Sequence, residues 1–304
     1  MNKKYITGII IILVIVAGVA YSINKPISNK TNTKNSSPWL SAYYHGNYKE
    51  AAEILKPLAE AGNPIAMYNL ATLYQTGLGV EKDYTKAINI YTKVADKGYP
   101  EAYNQLGNTY SFGLGVPVDN IKALSLYKKA ILLAEKNDNI KAKSTAQYNL
   151  SFNYLKGLGV KKNYITGIKL LKESAEAGNI SAQSNLSIVY IEGLYNIKKN
   201  PKTAIKYMLK AAESGDTISQ CNLGIAYKTG NGITKDLYKA YMWFYVASHY
   251  NYNKAKINLK ELNPRLNPEQ KTSAISEAKT WINTHEEMNM KLTSMGPIHS
   301  VNKL

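Results

Sequence analysis

Apolar and small residues recur along this chain at helical spacing. Around the string "YNLATLYQTG", which holds Leu70 and Tyr74, Ala66, Leu70 and Tyr74 fall at i, i+4 and i+8, the apolar stripe of one helix. Downstream, Ala87, Tyr91 and Ala95 do the same, echoed by Gly167, Leu171 and Ala175, then by Ala204, Met208 and Ala212. The small members of these second stripes let neighbouring helices approach closely.

The stripes repeat. Leu70 recurs as Leu106, Leu150, Leu186, Leu223 and Leu259, at separations of 36, 44, 36, 37 and 36 residues. Four residues after each of the first five stands a tyrosine (Tyr74, Tyr110, Tyr154, Tyr190, Tyr227), and three further on a glycine (Gly77, Gly113, Gly157, Gly193, Gly230). The separation of 44 marks one insertion, in "LAEKNDNIKAKS". Each unit therefore predicts two helices joined at a glycine.

The joint reads "GLGV" at 77–80, 113–116 and 157–160, which raises the possibility of a phosphate cradle. A P-loop comes after a strand and carries Lys and Ser or Thr after its last glycine. Here "EKDY", "PVDN" or "KKNY" stands in that place. Asp83, Asp119, Asn163 and Asp236 stand six residues after the first glycine, with Asn200 displaced by one, where side-chain oxygens cap a helix start. Pro201 suits the first helical position. The expectation is a mechanical joint, with glycine ending one helix in the left-handed region.

The pattern Ala-x3-Leu-x3-Tyr-x2-Gly-x-Gly-Val, then a helix ending in Gly-Asn ("EAGNP", "EAGNI", with "ESGDT" close), resembles the Sel1-like repeat, a relative of tetratricopeptide repeats. It covers roughly residues 40 to 263. The resemblance implies an all-α, right-handed α/α superhelical solenoid of five to six helix pairs with a C-terminal capping helix. Departures are local: "GLYNI" places Tyr195 at the second glycine, and "YYHGNYKEAAEILKPLAEAGN" supplies mainly a second helix. "LNPEQKTSAISEAKTWI" offers Asn267 as cap, Pro268 at the first position, and Ala274, Ala278, Trp281 and Ile282 on one face of a closing helix.

Outside the repeats, Lys3 and Lys4 precede an uncharged run, Tyr5 to Ile23, near the ~20 residues that span a bilayer. Lysines stay inside, so the chain beyond Ile23 is expected to be exported. Gly18 and Ala20 suit a signal peptidase, whereas the length suits an uncleaved anchor. Cys221 is the only cysteine, which leaves neither a lipid-anchor site after that run nor an intramolecular disulfide. The expected organisation is a signal peptide or anchor over 1–23, a flexible linker over 24–38, the repeat array over 39–285 and a disordered tail over 286–304. The expected location is periplasmic, with anchoring through residues 5–23 as the alternative.

Composition adds charge. The net value is +17, carried by lysines apart from Arg265, with no basic run longer than two. Scatter of this kind reads as compositional habit, with salt-sensitive attraction to acidic partners or anionic lipid as the alternative; no nucleic-acid partner is expected.

The same resemblance implies that residues two before the repeat leucine, and two and five after it, face a concave groove. These are Tyr68, Thr72 and Gln75; Asn104, Asn108 and Ser111; Tyr148, Phe152 and Leu155; and Ser184, Ile188 and Ile191. An apolar patch flanked by amides suits capture of a protein segment. The alternative is that they are core. His45, His249, His285 and His299 are dispersed, and "HEE" at 285–287 lacks the second histidine of a zinc helix, since Asn289 stands there. No catalytic residue, cofactor or metal is expected. Cys221 reads as a buried small hydrophobe, with a reactive thiol as the alternative. The aromatic string "WFYVASHY" at 243–250 reads as core or a recognition surface.

The resulting expectation is a monomeric, non-enzymatic envelope scaffold whose partner is an envelope protein, a wall enzyme, a host protein or a toxin. An immunity protein neutralising a secreted toxin and a wall-acting hydrolase are the rival readings.

Overall fold

The computed structural model describes residues 38–294. The leader or anchor expected over 1–23 and the linker up to residue 37 lie outside the described residues. Among the described residues the fold is all-α, in tandem helix pairs, with no strand. No described helix is long and apolar enough to cross a membrane. The chain divides into two compact units after Asn163, the second spanning Tyr164–Met288.

The first unit runs α1 (Pro38–Tyr44), α2 (Tyr48–Glu60), α3 (Pro64–Thr76), α4 (Tyr84–Asp96), α5 (Pro100–Phe112), α6 (Asn120–Lys136) and α7 (Ile140–Lys156). The opening pair does have a first helix. It is short, and Trp39 and Leu40 bury against Ala52, Leu55, Ala66, Leu70 and Leu73. The next layer joins Met67, Tyr68 and Ala71 to Ala87, Tyr91, Val94 and Ala95. Small residues on first helices receive large ones from second helices. A Cβ on Gly107 would lie 2.5 Å from Cε1 of Tyr127, so only glycine admits that ring.

The insertion divides evenly. Helices α6 and α7 each have 17 residues where α3, α4 and α5 have 13. One extra turn of about four residues on each arm leaves the flanking faces in register. At the turn between them Asp138 takes φ 49°, the left-handed conformation that Gly62 and Gly98 hold in the preceding turns.

The second unit runs α8 (Tyr164–Glu176), α9 (Ile180–Glu192), α10 (Pro201–Glu213), α11 (Thr217–Thr229), α12 (Leu237–His249), α13 (Asn253–Leu262), a 3-10 turn (Asn263–Arg265) and, up to Met288, α14 (Pro268–Ser294). Its core gathers Leu223, Phe244, Val246, Leu262, Ala274, Ala278 and Ile282, so the closing helix buries the face its spacing predicts. Trp243, from the aromatic string, is part of that core and meets the ring of Trp281 edge-on at 5.6 Å. Asn267 Oδ1 accepts from the Gln270 amide at 2.8 Å while Gln270 Oε1 accepts from the Asn267 amide at 3.1 Å, a reciprocal cap. The helix continues to Ser294, so part of the segment read as a tail is helical.

Candidate functional site

The joints are built from residues close in sequence. Gly77, Gly113, Gly157, Gly193 and Gly230 all take φ between 67° and 79° and end the first helix. The chain then returns: the amides of Asp83, Asp119, Asn163, Asn200 and Asp236 donate to the carbonyls of Tyr74, Tyr110, Tyr154, Tyr190 and Tyr227 at 2.8–2.9 Å. Asp83, Asp119, Asn200 and Asp236 also accept from the amide three residues on, at 2.9–3.0 Å, satisfying an orphan donor of the second helix. The amides at the two ends of the turn, Gly77 and Asp83 in the first, are committed to helix carbonyls, and the turn follows a helix where a phosphate cradle follows a strand. The "GLGV" turn is a mechanical joint.

Its second glycine packs the repeats together. A Cβ on Gly79 would lie 2.2 Å from the Tyr48 carbonyl oxygen, and on Gly232 it would lie 2.6 Å from the Pro201 carbonyl carbon. Tyr48 and Pro201 are the first residues of α2 and α10, so each joint rests on the start of an earlier second helix. Where Tyr195 replaces the glycine it takes φ 56°, and its ring lies 5.5 Å from that of Tyr164, the first residue of α8.

The residues expected to face a groove fall into two groups. Tyr68, Thr72, Gln75, Asn104, Asn108, Tyr148, Phe152 and Leu155 are buried in the first unit. Ile188 and Ile191 are half-buried in the second, as is Ser111 in the first, while Ser184 is buried and donates to Asp216 Oδ2 at 2.9 Å. Tyr148 and Phe152 meet edge-on, with ring centroids 5.1 Å apart. Truncating either would empty a packed interior; Ile188 and Ile191 have surface to offer.

The buried amides bond one another and two tyrosines that the groove pattern does not include. The Tyr91 hydroxyl lies 2.9 Å from Thr72 Oγ1 and donates to Gln75 Oε1 at 3.1 Å. Gln105 Nε2 donates to the Tyr68 hydroxyl at 3.1 Å, and Asn108 Nδ2 to Gln105 Oε1 at 3.0 Å. Asn108 Oδ1 accepts from Tyr127 at 2.8 Å and from Asn149 Nδ2 at 3.1 Å; Asn149 Nδ2 also reaches Asn104 Oδ1 at 2.9 Å. Burial raises the phenols of Tyr68, Tyr91 and Tyr127 above the usual tyrosine range. A polar residue three or four positions from another on a first helix, opposite a second-helix tyrosine, is the sequence signal for this seam.

Chemistry-bearing side chains stay apart. Cys221 is fully buried, and desolvation pushes its thiol up to about 11, which makes it a poor nucleophile. His45 Nδ1 lies 2.8 Å from the Ser41 carbonyl oxygen. His285 sits between two backbone carbonyls, Nδ1 2.8 Å from Trp281 O and Nε2 2.8 Å from Glu213 O, and its ring stacks on Trp281 with centroids 3.5 Å apart. Among the described residues no group of three or more His, Cys, Asp or Glu side chains could hold a metal.

Comparison with known proteins agrees with this architecture. The model of the Sel1 repeat family matches residues 64–99, 100–134, 144–179, 180–216 and 217–249. Among solved structures, a Sel1 repeat protein from Oxalobacter formigenes is 29% identical, with a TM-score of 0.62 over 81% of this chain and 99% of that one. A protective antigen with an SLR fold from uropathogenic Escherichia coli is 25% identical, with a TM-score of 0.45 over 87% of this chain and 64% of that one. An immunity protein from Pseudomonas aeruginosa is 21% identical, with a TM-score of 0.49 over 76% of this chain and 88% of that one. No curated protein matches the chain significantly. Sel1 repeat proteins typically mediate protein–protein interaction and are in general not enzymes. With five matched repeats, and with the joint, the caps and the paired helices those repeats require, the chain belongs to the Sel1 repeat family.

Proposed function

We propose that this protein is an exported protein-binding scaffold of the bacterial cell envelope, carried across or held at the membrane by residues 5–23, with no chemistry of its own. The observation that carries the reading is the repeated joint. Five joints are pinned by the bond from the cap amide to the tyrosine carbonyl, and four of them also by a glycine set against an earlier helix start. A surface fixed before a partner arrives loses little conformational freedom on binding, which favours recognition. Ile188 and Ile191, at adjoining turns of α9, supply apolar side chains with accessible surface.

Affinity capture from detergent-solubilised envelopes tests this, comparing the full chain with its Ile188→Gln/Ile191→Gln variant after circular dichroism shows both folded. A protein enriched by the first and depleted from the second supports the reading. Equal enrichment overturns the first-helix assignment. Turnover of wall polymer by the purified chain overturns the absence of chemistry. Protease added to intact spheroplasts should digest the repeats; protection would overturn export.

A further inference from the structure

The lysines of the second unit are unevenly placed. The segments 193–202 and 230–239, which form its two joints and lead into α10 and α12, hold Lys198, Lys199, Lys202, Lys235 and Lys239 against Asp236 alone. Glu192 ends α9, and Glu277 Oε2 accepts from the Tyr238 hydroxyl at 2.9 Å, so two further carboxylates lie beside these segments. At the opposite ends of the same helices, 176–179 and 213–216 hold Glu176, Glu213 and Asp216 and no lysine. The two joints adjoin each other, because Gly232 of one packs on Pro201, which comes directly after the other. The five lysines therefore share one edge.

All five are exposed, and among the described residues none is in an ion pair. Fold stability does not account for Lys202, whereas the Lys239 ammonium lies over the Tyr227 ring, 5.7 Å from its centroid. Both lysines stand in the first turns of α10 and α12, where the helix macrodipole disfavours a cation. The cap amides are already satisfied by Asn200 and Asp236, so the helix termini are not themselves an anion site. What remains is a strip of exposed lysines on one edge, with the half-buried Ile197 and Ile233 between them.

We infer that this edge docks an acidic segment of a partner protein. Charge complementarity selects that occupant. A second copy of the chain, itself at +17, would be repelled overall, whereas a carboxylate-rich segment would be drawn in and oriented. Interleaved apolar side chains suit a polypeptide better than a sheet of lipid headgroups. The inference rests on the protein-binding reading and names the partner's chemistry.

The test titrates fluorescent poly-L-glutamate into the full chain held in a neutral detergent, at low and at high salt. Binding should weaken steeply with salt. The variant Lys198→Glu/Lys199→Glu/Lys235→Glu should bind at least about tenfold more weakly, as loss of several charge contacts implies. The matched variant Lys254→Glu/Lys260→Glu/Lys279→Glu, with the same net charge, should stay within about twofold. Equal loss in both variants would mean bulk charge only and overturn the edge, as would no binding at low salt. Binding to phosphatidylglycerol vesicles that depends on the edge lysines, with none to polyglutamate, would assign the strip to lipid and overturn the inference. None of these failures alters partner capture through Ile188 and Ile191, so the two readings fall separately.

Discussion

Gly159 rests against the backbone of Asn120: a Cβ placed on it would lie 2.4 Å from the Asn120 carbonyl oxygen, and its φ is 68°. Gly159→Ala therefore meets two penalties, left-handed strain and a clash with the first turn of α6. The expected loss is about 3 kcal/mol or more. Gly98 shares the left-handed conformation, at φ 87°, but a Cβ there meets nothing within 4 Å, so Gly98→Ala should cost only about 1 kcal/mol. Urea midpoints of the two variants measure the difference; equal losses would contradict the close approach.

Tyr91→Phe keeps the ring in its pocket and removes the hydroxyl that serves Thr72 and Gln75. Gln75 Nε2 has no hydrogen-bond partner among the described residues, so the variant leaves the whole carboxamide unserved by them in a buried site. The expected cost is about 1–3 kcal/mol, read as a lower denaturant midpoint with an unchanged slope.

His285→Phe preserves the stack on Trp281 and deletes the two contacts to backbone carbonyls, one of which ties α14 to the end of α10. A loss of about 1–2 kcal/mol is expected, with faster amide exchange in α14 while α3 to α6 keep their protection. Unchanged exchange in α14 would show that the histidine does not hold the closing helix.

Strong alkali should unfold the protein cooperatively. Burial keeps the phenols of Tyr68, Tyr91 and Tyr127 neutral above their ordinary range and holds the Cys221 thiol at about 11 against an ordinary 9.0. These are acids whose folded values are raised. Their contribution is complete below the unfolded values, about 9 for the thiol and about 10 for the phenols, and is lost as pH rises above them. Tyrosinate absorbance from the buried rings should appear together with loss of helical ellipticity. Ionisation of these rings in a still-helical protein would contradict their burial.

The joints are legible in the sequence because their chemistry is local. A glycine that ends a helix and an Asp or Asn that caps the next act within a few residues, and Gly77 with Asp83 shows both. The role of the second glycine is not legible, since it depends on Tyr48, Tyr84, Asn120 or Pro201 in an earlier repeat. For the same reason Tyr195 stands out as a departure without showing that Tyr164 receives its ring. Asn104, Asn108 and Gln75 are visible as polar positions on first helices, but polarity alone does not tell a solvated amide from one bonded to Tyr127 or Tyr91. The opening helix is hidden because seven residues are too few for a periodic pattern to emerge.

The even split of the insertion between α6 and α7 has a consequence for how such a chain can change length. Four residues on each arm advance each helix by about 1.1 turns, a rotation of about 40° beyond a full circle, which side-chain packing can absorb. Two residues on each arm would swing the outward faces inward, and an unequal addition would slide one partner along the other. Growth at this hairpin is thus quantised, and indels tolerated there should come in steps of about eight residues, shared equally by the two arms.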